Sequence, residues 1–406
     1  MDLILKKSFF LILSQGLARV LGFFYTIYLA KALAIDEFGL YSAALAYFSL
    51  ASVIADFGFN RFLIREVVIN KERLTEILFN VTSLRLTFAT ILFCIFTIGL
   101  YLFDKDIFRS NLSILAIMAI LPQAIALSLD AVFIALQKIT FSAIATLVLS
   151  FFNCLLGVIL VSQNFGSTGV ISALIAAQLI YTLFLLLLLK KERVRLFSKI
   201  TTNSLIKVLI GSLPYGLLGI LGLIYFKIDT LMLSYMRGNF ETALYSVSYK
   251  FLEAVILIPS ALSAVVFPAF AKLHQGSSTD LKKYYFKLIR LMIFLGGSVL
   301  LIYLFIIPIV INILLPKYIP AIGIIQLLSF TIPFMYLHTP ATQLLLSSEK
   351  YLKPVIILSL VTVFFNVICN FIFIPLYGYL AAAWITILSE ALSFLIFFIF
   401  VQKKVF

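Results

Sequence analysis

Apolar residues recur in long runs from one end of the chain to the other, separated by short polar connections. Each run is about 20 residues long, enough for an α-helix to cross a hydrocarbon core of about 30 Å. The pattern therefore predicts an all-α integral membrane protein with twelve transmembrane helices. The predicted spans are 8–30, 41–59, 79–102, 112–134, 141–162, 170–189, 208–235, 246–267, 289–314, 322–346, 355–375 and 379–401.

The longest basic connection follows the sixth span and divides the chain into two similar halves. Leu40-Tyr41-Ser42 opens the second span, and Leu244-Tyr245-Ser246 opens the eighth. Six spans per half give both halves one orientation, and transporters built from such parallel repeats often bind substrate between the halves. We therefore predict two six-helix lobes around a central cavity. The predicted parts are an N-terminal lobe (1–190), a basic cytoplasmic linker (191–207) and a C-terminal lobe (208–406).

The basic residues between the spans predict the orientation of the chain. If the N-terminus is cytoplasmic, 23 of the 31 Lys and Arg residues flank spans on the inner side, five lie on the outer side and three lie inside spans. Cytoplasmic loops are enriched in Lys and Arg. The bias predicts that both termini are cytoplasmic. The first span, despite its preceding Lys6-Lys7, is interpreted as a retained helix because it contains Arg19 and has no convincing cleavage site.

Composition excludes several other classes of protein. With 63% hydrophobic and 12% charged residues, the chain has too few polar side chains to cover a soluble domain. The net charge of +14 is spread in short clusters between spans, which argues against nucleic-acid binding. Cys94, Cys154 and Cys369 all lie in apolar runs and suggest neither disulfides nor thiol chemistry.

Three cations inside predicted spans are candidates for substrate binding. They are Arg19 in the first span, Lys227 in the seventh and Lys250 in the eighth. A charge at the bilayer centre costs about 3 kcal/mol on insertion scales, so it usually faces a partner or a wet cavity. One hypothesis is that all three line the cavity and bind an anionic group such as a diphosphate. For the two lysines, neutralisation by Asp229 and Glu253, or snorkelling outward, is an equal alternative.

Acidic and amide residues inside the spans provide further candidates. Asp229, Glu253 and Glu390 are candidate ion-coupling groups or charge partners, and for Glu390 we favour pairing across helices. Asn366 and Asn370 share one face of the eleventh span; we favour helix packing over cavity lining for both. Asp56 and Asp130 lie near the ends of their spans and are expected to be helix-end or loop partners.

The sequence contains no motif that would make this protein an enzyme. It has no phosphate loop, no glycine-rich dinucleotide turn and no cysteine–histidine spacing for a metal. The outer loops are also short, whereas a glycan polymerase usually needs a large catalytic loop. We therefore expect no cofactor, no metal and no catalytic residue.

Several segments together resemble the oligosaccharide flippases of polysaccharide biosynthesis, including the flippases of O-antigen repeat units. They are polysaccharide transporters of the multidrug/oligosaccharidyl-lipid/polysaccharide exporter (MOP) superfamily. Lys31 and Ala34 stand where that family usually has Arg and Gly, and Leu380 replaces another usual Gly. The matching segments are Leu29–Leu33, Glu37–Ser42, Asp56–Phe59 with Arg65-Glu66, Tyr225–Asp229, Leu244–Ser246, Tyr249-Lys250, Asn366–Asn370, Ile374–Gly378, Ala381–Ala383 and Ser389-Glu390.

The resemblance implies a function that the residues alone do not name. It implies a flippase of the bacterial inner membrane that moves an undecaprenyl-diphosphate-type lipid-linked oligosaccharide outward by alternating access, alongside other polysaccharide-assembly membrane proteins. Arg19, Lys227 and Lys250 match the cavity cations that receive the anionic head in this family. The main alternative is a cation-coupled multidrug exporter of the same superfamily. A peptidoglycan-precursor flippase, a membrane glycan polymerase and a structural scaffold fit less well.

Overall fold

The computed structural model describes residues 2–192, 194, 197, 198, 202–274 and 278–406, and their regular structure is entirely helical. The predicted all-α fold class is confirmed. In chain order the α-helices of the described residues are α1 (Asp2–Ala32), α2 (Ile35–Asp56), α3 (Phe59–Ile69), α4 (Leu74–Phe103), α5 (Ile107–Met118), α6 (Ile120–Ala135), α7 (Ile139–Ser162), α8 (Gly166–Lys191), α9 (Thr202–Met236), α10 (Asn239–Val255), α11 (Leu257–Leu273), α12 (Ser278–Phe305), α13 (Ile307–Leu314), α14 (Ile322–Ser329), α15 (Thr331–Leu346), α16 (Leu352–Tyr377) and α17 (Tyr379–Lys404).

The helices reproduce the predicted spans. Eleven helical stretches of the described residues are long and apolar enough to cross a membrane, and the first predicted span, 8–30, lies within α1. Helices dominate because no water in the bilayer core can bond to free backbone groups, so each segment must satisfy its own. The protein is a multi-pass membrane protein.

The second and fourth spans of each half are divided into two helices. In the first half, α2 meets α3, and α5 meets α6; in the second half, α10 meets α11, and α14 meets α15. The α2–α3 junction has the sharpest backbone change, because Phe57 (φ 42°) and Gly58 (φ 78°) are both left-handed. These four breaks recur at equivalent spans. The ninth span is also divided, into α12 and α13, whereas the equivalent third span lies in the single helix α4.

The chain forms two compact units, Met1–Lys227 and Ile228–Phe406. The boundary lies inside α9, beyond the predicted linker 191–207, several residues of which fall outside the described residues. The start of α9 belongs to the first unit because Lys207 pairs with Glu66 (Nζ–Oε2, 3.5 Å) and the Ser204 hydroxyl donates to Glu76 (3.2 Å). The predicted lobe boundary at the linker stays a prediction.

Each unit has its own apolar core, and corresponding helices pack in the same way. In the first unit, α2 packs on α5, α3 and α4 pack on α6, and α7 packs on α8. In the second, α10 packs on α14, α11 and α12 pack on α15, and α16 packs on α17. Phe59 and Phe133 lie in the first core, and Phe270 and Phe397 lie in the second.

Candidate functional site

A buried network of polar side chains in the second unit centres on Asp229 in α9. Asp229 is 2% exposed. Its Oδ1 accepts a hydrogen bond from Asn370 Nδ2 (2.7 Å), and its Oδ2 accepts one from the Tyr245 hydroxyl (2.8 Å). The Thr386 hydroxyl lies 3.2 Å from the same Oδ2. Four helices, α9, α10, α16 and α17, therefore meet at one carboxylate.

All of these partners are neutral, which makes Asp229 unusual. An isolated charge in a membrane interior usually faces an opposite charge or water, because neutral donors replace only part of its hydration. Asn370, whose Nδ2 contacts this carboxylate, has an Oδ1 without a hydrogen-bond partner among the described residues. A carboxylate and an unused amide oxygen, together with two hydroxyls, are oxygen donors of the kind that hold a hard cation.

The two asparagines extend the network to α17. Asn370 Nδ2 also lies 3.1 Å from Asn366 Oδ1, and Asn366 Nδ2 donates to Ser389 Oγ (3.2 Å). Both asparagines are at most 1% exposed. They therefore hold helices together, and Asn370 in addition contacts the charged group. Their predicted roles in packing and in polar lining are compatible with this position.

Glu390, Glu253 and Lys250 also lie in the second unit. Glu390 is 6% exposed and follows Thr386 by about one turn of α17. Lys250 Nζ lies 3.1 Å from Glu253 Oε2 on α10, and both side chains are about 30% exposed. The structure thus contains the ion pair that was one of the two predicted arrangements for Lys250, in an accessible position.

Arg19 and Lys227 belong to the first unit. Arg19 is exposed on α1, and Lys227 is half-buried in α9 at the end of the unit. The hydrogen-bond partners of Asp229 described above are all neutral. Neutralisation of Lys227 by Asp229 therefore stays a prediction.

The sequence did not single out Tyr245 or Thr386 as site residues. Tyr245 lies in the repeated Leu-Tyr-Ser segment, so its recurrence was a usable signal. Thr386, Ser389, Glu390 and Ser393 are buried at helical spacing on α17. A polar stripe in an apolar helix of this kind predicts a contact with another polar group, but not which one.

A second buried charge, Arg85, lies in the first unit, and its position differs from the one that the sequence predicts. Arg85 is one of the 23 basic residues that the sequence predicts to flank spans on the inner side, yet it is 1% exposed inside α4. Its Nη2 lies 2.5 Å from Asp56 Oδ1, and its Nη1 donates to Ser128 Oγ (2.9 Å). Asp56, the last residue of α2, is the helix-end partner that was expected. The pair ties the α2–α3 junction to α4 and α6.

Comparison with known families identifies the group to which this chain belongs. The family model described as polysaccharide biosynthesis protein matches residues 4–274, about two thirds of the chain. The chain belongs to the polysaccharide biosynthesis protein family. A search of curated proteins finds no match.

Solved structures share the fold of this family member at low sequence identity. An inward-facing multidrug resistance MATE transporter of the MOP superfamily aligns with a TM-score of 0.76 and 14% identity, over 96% of this chain and 94% of that one. The lipid II flippase MurJ, inward closed, aligns with a TM-score of 0.72 and 14% identity, over 97% and 87%. A MOP transporter from Pyrococcus furiosus, described as having a binding pocket of reversed polarity, gives 0.62 and 15%, over 99% and 95%.

Proposed function

We propose that this protein is a flippase that moves a polyprenyl-diphosphate-linked oligosaccharide from the inner to the outer leaflet of a bacterial cytoplasmic membrane. The match to the polysaccharide biosynthesis family carries this proposal. The MurJ structure adds support, because that neighbour is named as a flippase of a lipid-linked precursor. In this proposal both termini lie in the cytoplasm, and the flippase delivers the glycan to other membrane proteins of polysaccharide assembly.

In this proposal, basic groups within the membrane receive the diphosphate. Arg19 is exposed, and its planar guanidinium can donate two parallel hydrogen bonds to phosphate oxygens. Lys227 contributes a second positive charge. Lys250 contributes less, because Glu253 lies 3.1 Å away and offsets its charge. Arg19 is therefore the first residue to test.

We further propose that Asp229 binds the cation whose gradient drives transport. The cation, a proton or a sodium ion, would supply the positive charge that the hydroxyl and amide partners of the carboxylate do not supply. Thr386 would supply a neutral oxygen to a sodium ion, as would Asn370 once its amide turns Oδ1 toward the carboxylate. Tyr245 would hold the carboxylate in position. Glu390, one turn from Thr386, is the next candidate on the same side of α17.

A translocation assay tests the proposal. Purified protein in proteoliposomes is given polyprenyl-diphosphate oligosaccharide, and the appearance of the lipid in the opposite leaflet is measured under a sodium or a proton gradient. We expect protein-dependent movement that falls about tenfold or more in Arg19→Ala, with partial retention in Arg19→Lys. Lys105→Ala, an exposed basic residue outside the helices, is the matched control and should behave as wild type.

The alternative is a cation-coupled multidrug exporter, which the MATE structures favour. Such a protein would move organic cations and would not move the lipid-linked oligosaccharide. The flippase proposal would be overturned if the wild-type protein exported a cationic dye under a sodium or proton gradient and did not move the lipid-linked oligosaccharide. Wild-type lipid movement by correctly inserted Arg19→Ala would remove the role of Arg19 alone.

A further inference from the structure

A cluster around Glu241 joins three helices at one end of the second unit. Arg237, just after α9, donates from Nε to Glu241 Oε1 (2.8 Å). The backbone N–H of Tyr379, the first residue of α17, donates to Glu241 Oε2 (2.9 Å). Arg237 Nη1 also lies 3.4 Å from the Pro375 carbonyl in the last turn of α16. We call Arg237, Glu241, Gly378 and Tyr379 the Glu241 clamp.

The backbone between α16 and α17 is fitted to this carboxylate. Gly378 has φ 58° and ψ −138°, and a Cβ at this position would overlap the Glu241 side chain. A carboxylate at the first N–H of α17 is also favoured by the positive end of the helix dipole. Glycine is thus required both for the turn and for the approach of Glu241.

A similar approach of a glutamate to a glycine lies in the first unit. Glu37, four residues before Tyr41 as Glu241 is before Tyr245, lies against Gly166 at the start of α8. Gly166 also has a positive φ, 56°, and a Cβ there would come within 2.7 Å of Glu37 Oε1. Asp229, the carboxylate whose hydrogen-bond partners are neutral, belongs to the second unit. The two glutamates therefore form a matched pair, one beside the Asp229 network and one outside it.

The Glu241 clamp fixes the helices that supply the Asp229 network. Asp229 precedes Arg237 by about 12 Å along α9, and Thr386 follows Tyr379 by about 10 Å along α17. Asn370 lies little more than one turn before Pro375 on α16. Because each helix is rigid over two turns, a clamp at their ends determines where Asn370 and Thr386 lie relative to Asp229.

We propose that Glu241 is a positioning residue for the cation site at Asp229. This inference rests on the proposed coupling role of Asp229. Glu241 touches neither the cation nor the substrate; it sets the relative position of α16 and α17 so that Asn370 and Thr386 stay within hydrogen-bond distance of the carboxylate. Outer residues that orient ligands commonly change metal affinity by about 10- to 100-fold when they are removed.

The test measures cation binding without transport substrate. The melting temperature of detergent-purified protein is followed against sodium chloride concentration, with choline chloride holding the ionic strength constant, and in a parallel series against pH. Binding to the folded state raises the melting temperature, and the midpoint reports affinity. We expect Glu241→Ala to raise the half-saturating sodium concentration about tenfold, or to shift the pH midpoint correspondingly, with the full stabilisation retained at saturation.

Two further variants separate positioning from general damage. Glu241→Gln keeps an acceptor for the Tyr379 N–H and should shift the midpoint less than Glu241→Ala; it also serves if the alanine variant does not fold. Glu37→Ala removes the equivalent contact in the first unit and should leave the midpoint unchanged. Equal midpoint shifts in Glu37→Ala and Glu241→Ala would overturn the proposal.

Wild-type protein and Asp229→Asn distinguish failure of this inference from failure of the proposed function. In one outcome, a cation stabilises the wild type, Asp229→Asn abolishes this stabilisation, and neither Glu241 variant shifts its midpoint. That result overturns the positioning role of Glu241 and leaves the coupling role of Asp229 standing. Absence of any sodium or pH dependence in the wild type overturns the coupling role and the positioning role together.

Discussion

Asp229 and Arg85 show two different solutions for a buried charge at the scale of single residues. Arg85 is paired with a carboxylate, so its charge is offset where it lies. Asp229 is surrounded by hydroxyl and amide groups, so its charge is stabilised without being offset. The first arrangement suits a structural role, because the buried charge already has its counter-ion. The second suits a site that a cation enters and leaves.

For Asp229 we expect Asp229→Asn to abolish the cation dependence of translocation. The substitution keeps the size of the side chain and removes its negative charge, so a cation no longer gains by binding. The measurement is the translocation rate in proteoliposomes with and without a sodium or proton gradient. Glu349→Gln, an exposed acid, is the control and should keep the dependence. A gradient effect of wild-type size in Asp229→Asn would contradict the coupling role.

For Arg85 we expect Arg85→Met to destabilise the first unit by about 3 kcal/mol. Removing one partner of a buried ion pair leaves the other charge, here Asp56, without compensation. The change is measured as a loss of stability in denaturant titrations of detergent-purified protein. The double variant Asp56→Asn/Arg85→Met removes both charges and should recover part of the loss. A single variant as stable as wild type would show that Asp56 is well hydrated.

At the scale of elements, α9 combines tightly packed and open positions on one helix. A Cβ at Gly216 would lie 2.7 Å from the Phe57 carbonyl oxygen, at the α2–α3 junction. Gly58, in that junction, approaches the backbone of α9 equally closely. Gly222, about one and a half turns further along, has nothing within 4 Å of the position of a Cβ. The left-handed break in the second span therefore requires a glycine on its neighbour.

This contrast predicts opposite effects for two identical substitutions. Gly216→Ala should destabilise the protein by about 2 kcal/mol, because the added methyl group meets backbone that cannot move aside. Gly222→Ala should be neutral or stabilising by up to about 1 kcal/mol, because alanine has the higher helix propensity. Melting temperatures of the two variants in the same detergent make the comparison. The reverse order would mean that α9 does not pack on the α2–α3 junction in solution.

At the scale of the whole molecule, the basic residues between the helices predict which connections face each side of the membrane. Lys105 follows α4 on the predicted outer side, and Lys353 begins α16 on the predicted inner side; both are exposed. The orientation rests on the excess of Lys and Arg in the inner connections. It stays a prediction, and the outward direction proposed for the flippase assumes it.

Cysteine labelling measures this orientation directly. In a background with Cys94, Cys154 and Cys369 replaced by Ala, Lys105→Cys should react with a membrane-impermeant maleimide in intact spheroplasts. Lys353→Cys should react only after permeabilisation or in inverted vesicles. The opposite pattern would reverse the topology and the proposed direction of transport.

The sequence alone determined the fold class, the positions of the spans and the resemblance to a transporter family. These properties depend on the length of each apolar run and on residues close together in the chain. Asn366 and Asn370 could be assigned to one helix face, and Lys250 could be matched with Glu253, because helical spacing alone relates the members of each pair. The division of the second, fourth, eighth, ninth and tenth spans could not be read from hydropathy, which does not register a change of backbone direction.

Only the tertiary structure decided which polar groups meet between helices. Asp229 contacts Asn370 and Thr386, and Arg85 contacts Asp56 and Ser128, across long stretches of chain. Apolar composition makes a helix enter the membrane but does not specify which face meets which neighbour. That choice depends on packing, on close backbone approaches such as Gly58 to α9, and on the free-energy cost of leaving a buried polar group unpaired. The candidate site is therefore a property of the assembled helices.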